Sequence, residues 1–457
     1  MKLSAESDNI ETLVSEQDSP LRERMLALKA RCNEILNRDN PGEYLSWWIA
    51  EDAFELPAAV IEKLQQGGRA LNRFFQVANA LFYRERCIQA RLEKRHTPNY
   101  RLLNHAQPGA IPLMPRPDVV LDEHWQPKFV ELEITVCARF DTAAMNELYG
   151  LDINKGLIQS YANYYKQRWP GKTLALLTAP HPLWWYIVDE AIPFAERLRR
   201  EGLDVVVLEG YNLPHLRFDG KNLLLCHRNG SSKTIHVIDR FIDIYELAEL
   251  QHPGMAPIFD AYVAGAVASI NTCKQFLDEK QWMCLFWDTQ YRSVWRDALG
   301  QENDDLLRSM IPRTWEIHPD TRIELPSGKA ITVDQLADLP PEERQFVIKE
   351  SGTSFTSSGA QSLRVLSELS KEEVKEALTV IKESETQYVL QEIIRSPRIS
   401  FTALNPNDND KIITQHGARM KFSVFYMDGV MTNIKFIASN AEFAVNNRDC
   451  IEGIVRY

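Results

Sequence analysis

The stretch RPDVVLDEHWQPKFVELEIT, residues 116–135, sets acidic and basic side chains at alternate positions. Successive side chains of a strand point to opposite faces, so Arg116 and Asp118 share one face, and Glu131 and Glu133 share one face of the next strand. The other faces carry Val119 and Leu121, then Val130, Leu132, Ile134 and Val136, a series suited to packing on a core. Joined as a hairpin, the two strands gather three carboxylates and one guanidinium on the exposed side. Like charges opposed across strands are destabilising. Two readings relieve the repulsion. In one, Asp118, Glu131 and Glu133 are ligands of a hard divalent cation, magnesium above all, and Arg116 holds a phosphate or carboxylate oxygen in bidentate fashion. In the other, the face is solvated and Arg116 pairs with one carboxylate.

A second group lies in FVIKESGTSFTSSGA. Lys349 ends a buried strand just before a loop of small residues that contains Gly352, Ser354 and Gly359. Such a loop lets backbone N–H groups approach phosphates closely, and the lysine adds a point charge. The third is YVLQEIIRS, where the backbone at Glu392 and Ile393 could pair with a nucleotide base beside Gln391; an ordinary edge strand is the alternative. PGKT at 170–173 is not a phosphate loop, because Lys166 stands where that motif needs its first glycine and a strand follows it.

The elements that must position these groups follow from periodicity. Residues 1–20 read as a disordered or loosely docked tail, and residues 21–110 as a helical segment, with LRERMLALKARCNEIL and ALNRFFQVANALFYRERCIQARL its clearest amphipathic stretches. Residues 111–153 hold the hairpin. Residues 154–267 form a small α/β domain. In it KTLALLTAP and DVVVLEG are buried strands, and LWWYIVDEAIPFAERLRREG is the intervening helix, kinked or broken by Pro193 and ended by Gly202. A helical crossover at this spacing implies parallel strands. Residues 268–457 make up the last region. Helix resumes from about Gly265 in GAVASINTCKQFLDEKQWMCLFWD, Ser370 opens a capping box for KEEVKEALTVIKES, and MKFSVFYMDGVMTNIKFIAS is a hairpin turning at Asp428-Gly429.

The 457 residues suffice for several domains, and 44% hydrophobic with 25% charged residues is the balance of a soluble globular protein. A net charge of −11 speaks against a non-specific grip on nucleic acid or an anionic membrane. No apolar run is long enough to span a bilayer, and the polar, acidic start does not read as a signal peptide. The seven cysteines include no C-x-x-C pair, which suits a cytoplasmic protein and opposes structural zinc.

The order of these pieces resembles the circularly permuted branch of the ATP-grasp family that contains the glutathionylspermidine synthetase domain. R-x-D…E-x-E is followed by a small α/β domain, then V-I-K with a small-residue loop, then Q-E-I-I, then a hairpin with D-G. The likeness covers about three quarters of the chain, from Pro115 onward, and excludes the amidase domain of the bifunctional relative. It implies an α+β, α/β architecture: a permuted ATP-grasp core with an inserted small Rossmann-like domain and a helical N-terminal segment. It makes Asp118, Glu131 and Glu133 magnesium ligands and puts Lys280 and Lys349 on the phosphates of ATP. Gln391, Glu392 and Ile393 become the adenine-facing strand, and Arg116 faces the reacting γ-phosphate or acyl phosphate. Lys435 stands where the family's closing hairpin has arginine, and Glu133 where it usually has asparagine.

The activity so implied is an ADP-producing carboxylate–amine ligase that forms an amide through an acyl phosphate, acting on a small metabolite or short peptide. A degenerate nucleotide-binding or scaffold protein and a phosphotransferase that stops at the phosphorylated substrate are the alternatives. The expected partners are small carboxylate and amine substrates, with neither nucleic acid nor membrane, and an exposed helical N-terminal segment would suit a homodimer contact.

Overall fold

The computed structural model describes residues 11–13, 19–36, 47–134, 139–151, 156–178, 187–210, 213–240, 254–318, 320–325, 327–352, 362–441 and 450–457. Ser354 and Gly359 lie outside these residues, as does Val136. The fold is mixed α/β. Its largest sheet runs in the order Ile399–Asn405, Trp47–Ala50, Cys450–Arg456, Val430–Ser439, Lys411–Met427, Arg116–Leu121, Pro127–Glu133. Sequence-distant hairpins therefore meet: the carboxylate hairpin 116–133 lies antiparallel against the closing hairpin 411–439. That closing hairpin turns at Asp428 and Gly429, whose φ angles of 50° and 79° are the left-handed pair a tight two-residue turn needs.

The chain is less helical near its start than its periodicity suggests. Trp47–Ala50 is a strand, parallel to Cys450–Arg456 and antiparallel to Ile399–Asn405, and Glu11–Leu13 adds to Lys411–Met427. Helices do form at Ser19–Ile35 and Ala58–Arg84. The second carries Gly67 and Gly68 at mid-length because Met310 and Phe129 press on the first and the closing hairpin on the second. A Cβ on Gly68 would stand 2.3 Å from the Tyr426 ring and 2.7 Å from the Gly429 carbonyl oxygen. The Tyr426 hydroxyl donates to the Leu64 carbonyl at 2.8 Å across the same contact.

A small parallel sheet follows, in the order Ala268–Ser269, Val237–Arg240, Thr173–Leu177, Asp204–Leu208. The crossover helix Ile187–Arg200 passes through Pro193 unbroken, with Ala191, Phe194, Ala195 and Leu198 all fully buried. Their packing outweighs the one backbone hydrogen bond that proline removes. Gly202, at φ 84°, ends it as expected.

The helix expected from Gly265 onward does not form until Gln281–Trp287. The reason lies in its polar side chains, which clamp the carboxylate hairpin at both ends. Asn271 donates to the carbonyls of Met114 (2.9 Å) and Ile134 (2.8 Å), and accepts from the Met114 N–H at 2.8 Å. Asp278 accepts from the Ile134 N–H at 2.9 Å. The buried Lys274 ammonium meets Asn79 Oδ1 and the carbonyls of Pro108 and Ala110 at 2.8–3.0 Å. A helix would turn these groups away from the hairpin.

A separate antiparallel sheet, Thr314–Glu316, Tyr388–Glu392, Phe346–Glu350, Arg364–Val365, brings Lys349 to the carboxylates. The helix Lys371–Glu383 beside it starts at the expected capping box, with Ser370 and Glu373 bonded reciprocally. Among the described residues no helix is long and apolar enough to cross a membrane.

Candidate active site

Arg116 stands opposite Glu133, and Asp118 opposite Glu131, as alternation requires. The register then slips, so that Val119 faces Phe129. The extra residue is a β-bulge at Val130. It turns Phe129 toward the core beside Val119 while Glu131 keeps to the polar face. Val130 thus leaves the core series in which its spacing had put it, and its carbonyl accepts a hydrogen bond from Lys349 Nζ at 3.0 Å.

The polar face continues across the sheet. Ser423 pairs with Asp118, and Lys435 pairs with Ser423. Directly opposed residues share a face, so Lys435, Ser423, Asp118 and Glu131 form one row, with Lys421, Arg116 and Glu133 on the same face beside it. This side is not open to solvent as the hairpin alone suggested: Arg116 and Asp118 are 9% and 5% exposed.

Each carboxylate has a cation of its own. Asp118 is held by Lys421 Nζ at 2.8 Å and by the Ser423 hydroxyl at 3.1 Å, Glu131 by Lys280 Nζ at 2.8 Å, and Glu133 by Arg116. Burial alone would raise the pKa of Asp118 and of Glu131. Lys421 and Arg116 outweigh it at Asp118, and Lys280 and Lys349 at Glu131, so both stay below the ordinary carboxylate range. Glu133 goes the other way: burial, helped by Asp118, Glu131 and Asp278, pushes it up to about 8 against the pull of Arg116. Burial also brings Lys349 down to about 8, despite the attraction of Glu131.

Of the residues singled out from sequence, Arg116, Asp118, Glu131, Glu133, Lys280, Lys349 and Gln391 come together. Gln391 accepts from Lys349 Nζ at 2.8 Å and donates to Thr314 at 3.2 Å. Glu392 and Ile393 do not offer their N–H groups to a base here. These donate to the carbonyls of Arg313 (2.9 Å) and Gln345 (3.1 Å), because Tyr388–Glu392 is an inner strand rather than an edge. Lys435 lies two strands from the nearest carboxylate strand and is bound to the buried Glu452 at 2.5 Å, which holds its ammonium form against desolvation.

Sequence reading missed Lys421 and Ser423, although K-x-S in MKFSVFYMDG carries the polar alternation that would have revealed them. It also missed a buried network behind the lysines. Glu279, next to Lys280, accepts from the Ser351 hydroxyl at 2.7 Å and from His96 Nε2 at 3.3 Å. The amide of Asn104 contacts His96 Nδ1 at 2.8 Å, which makes that nitrogen the acceptor and leaves the proton on Nε2, facing Glu279. Ser351 in turn accepts from the Gln281 N–H at 3.2 Å. Gly352 follows at φ 112°, with the Glu279 carboxylate 3.5 Å from where a Cβ would stand. One carboxylate thus fixes both the Lys280 turn and the entry to the small-residue loop.

The donor set is the one a hard cation such as magnesium takes, all carboxylate oxygen. Among the described residues, however, no three acidic, histidine or cysteine side chains converge as a ready metal cage. The chain's own cations occupy those oxygens.

No protein-family model matches the sequence, and no curated protein matches it significantly. Among solved structures, the chain is similar to a glutathione synthetase-like effector from Globodera pallida in its apo form, at 12% identity over 97% of this chain and 98% of that one, with a TM-score of 0.59. The mixed α/β fold is therefore shared along the whole length. Weaker likenesses are to a protein assigned as a gamma-glutamylcysteine synthetase from Methylobacillus flagellatus (11% identity, 87% of each chain, TM-score 0.39) and to D-alanyl-alanine synthetase A from Vibrio cholerae (13%, 57% of this chain and 88% of that one, TM-score 0.28).

Proposed function

We infer that the chain is an ATP-dependent carboxylate–amine ligase of the ATP-grasp type, in the circularly permuted arrangement, joining a small carboxylate and an amine through an acyl phosphate. The observation that carries this reading is the meeting of two sheets: Lys349 reaches Val130 and Gln391 from one, opposite Asp118 and Glu131 on the other. An all-protein arrangement of four basic side chains on one carboxylate face suits a polyanion bound with a cation. The fold shared with a synthetase-like effector is consistent with it.

On this reading Lys349 and Lys280 neutralise the phosphates of ATP. Asp118, Glu131 and Glu133 are the oxygens that would hold magnesium, which when bound screens the charge of the triphosphate. Arg116, freed from Glu133, presents a planar fork to the acyl phosphate. These groups are fixed before the reaction, so positioning and electrostatics supply the rate and no side chain becomes covalent. The small parallel sheet forms a Rossmann-like inserted domain, and the setting is the cytoplasm.

The test is ADP release by the purified chain with ATP and magnesium across pooled carboxylates and amines, with amide products sought by mass spectrometry. ADP formation that needs both a carboxylate and an amine is expected. ADP formed with a carboxylate alone and no amide would favour the phosphotransferase, and neither product in any pool would favour a non-catalytic binding protein.

A further inference from the structure

Lys421 has no part in the reading above, and its geometry gives it one. It stands on the closing hairpin with its ammonium 2.8 Å from Asp118, as Lys280 stands 2.8 Å from Glu131. Lys349 is placed differently: its ammonium meets only neutral oxygens, those of Val130 and Gln391. Two of the three lysines thus sit on the oxygens a metal would need, and the third is held beside them by a carbonyl and an amide oxygen.

We propose that Lys280 and Lys421 are place-holding counter-ions, and that a divalent cation gains Glu131 and Asp118 only when a polyphosphate draws these two ammonium groups away. The inference rests on the ATP-site reading and goes further in fixing how metal and nucleotide depend on each other.

Formal charge carries the argument. With all seven groups counted as charged, Arg116, Lys280, Lys349 and Lys421 face Asp118, Glu131 and Glu133 with a surplus of one positive charge, and the burial that favours neutral Glu133 only enlarges it. A divalent ion arriving alone would raise the surplus to three in a poorly solvated site, and would have to displace an ammonium with nowhere to go. Arriving with a fully ionised triphosphate, it leaves the site one negative charge from neutrality, and each displaced ammonium finds a phosphate oxygen. The two pairs are built to exchange. One member of each pair reaches solvent, the Glu131 side chain with about a third of its surface exposed and the Lys421 side chain with about a fifth, while their partners Lys280 and Asp118 are nearly buried. Asp118 retains the Ser423 hydroxyl when Lys421 leaves, so its orientation survives the exchange.

Linkage makes this measurable, because nucleotide must raise metal affinity by the same factor as metal raises nucleotide affinity. The experiment follows free Mn2+ by electron paramagnetic resonance in the full chain, without nucleotide, for wild type, Lys280→Gln and Lys421→Gln. Lys233→Gln, which removes one charge from a pair with Asp204 on a different sheet, is the control. Calorimetry with a non-hydrolysable ATP analogue is run in parallel, and thermal melting verifies folding. Removing either place-holder should tighten Mn2+ binding without nucleotide about tenfold, equivalent to about 1.4 kcal/mol. Lys280→Gln should at the same time weaken the nucleotide and shrink the coupling, and Lys233→Gln should change nothing. If wild type binds nucleotide but neither variant binds Mn2+ more tightly than the control, the place-holder role is wrong while the ATP site stands. If wild type binds no nucleotide at any metal concentration, the ATP-site reading fails and the inference falls with it.

Discussion

Glu279→Ala is the perturbation whose size follows most directly from the structure. The carboxylate is 6% exposed and serves two buried donors, the Ser351 hydroxyl and His96 Nε2. Truncation leaves both without an acceptor in a region closed to water. A buried donor left unsatisfied costs roughly 1–3 kcal/mol, so two cost about 2–6 kcal/mol. Removing the buried charge itself returns part of this, and about 3 kcal/mol of lost stability is expected. Glu279→Gln separates the contributions. Its amide oxygen can still accept from Ser351, but its NH2 group then faces the His96 Nε2 proton, which Asn104 holds in place from Nδ1. The amide variant should therefore lose about half as much. Urea unfolding gives these differences, and nucleotide titration of the folded variants gives the functional half. Affinity should fall in Glu279→Ala, where Lys280 and the Ser351–Gly352 exit lose their common anchor, and less in Glu279→Gln, which keeps the Ser351 bond. A Glu279→Ala protein within about 0.5 kcal/mol of wild type would refute the reasoning, because surface-like changes have that size. So would a Gln variant as unstable as the Ala variant, which would mean that Ser351 does not depend on this carboxylate.

Three further outcomes are expected. Lys349 sits near 8 because burial disfavours its charge, so its ammonium form is complete below that pH and is lost above it. Nucleotide affinity should weaken as pH rises through about 8, and Lys349→Arg, which stays charged, should reduce that dependence to the part that Glu133, also near 8, contributes; the same pH profile in wild type and variant would exclude Lys349 as an origin. Gly68→Ala should destabilise by about 1–3 kcal/mol although alanine is the better helix former, because its Cβ meets the Tyr426 ring at 2.3 Å; a melting temperature at or above wild type would show that the helix and hairpin can separate cheaply. Glu131→Gln should keep the fold, since the residue faces the site rather than the core, while ATP turnover drops about a hundredfold or more. Near-wild-type turnover would return the hairpin to a solvated face.

Sequence made legible the features that rest on local chemistry. Polar alternation put Arg116 with Asp118 and Glu131 with Glu133, Ser370 announced its helix, and Asp428-Gly429 announced its turn. What stayed hidden depends on distant partners. The bulge at Val130 exists because Phe129 and Glu131 must face opposite ways, which only the register against Asp118 and Val119 decides. Trp47–Ala50 is a strand because Cys450–Arg456 and Ile399–Asn405 flank it, from the other end of the chain. The stretch around Asn271 and Lys274 has helical composition, but Asn271 is needed on the hairpin ends and Lys274 on Asn79 and the carbonyls of Pro108 and Ala110. The carboxylates themselves drew attention to a metal, whereas the nearest cations are Lys421, Lys280 and Arg116. Of the four site cations, Arg116, Lys280 and Lys349 were singled out from sequence only by motif or by likeness, and Lys421 by neither.

The proposed function needs Lys349 of one sheet and the carboxylates of the other to form a single nucleotide–metal site. Calorimetric titration of the wild-type chain with a non-hydrolysable ATP analogue, with and without magnesium, tests it most directly. Binding that is strong with magnesium and weak without it is the predicted result. Binding of equal strength in both conditions would separate the carboxylate hairpin from the nucleotide, and no binding in either would contradict the account outright.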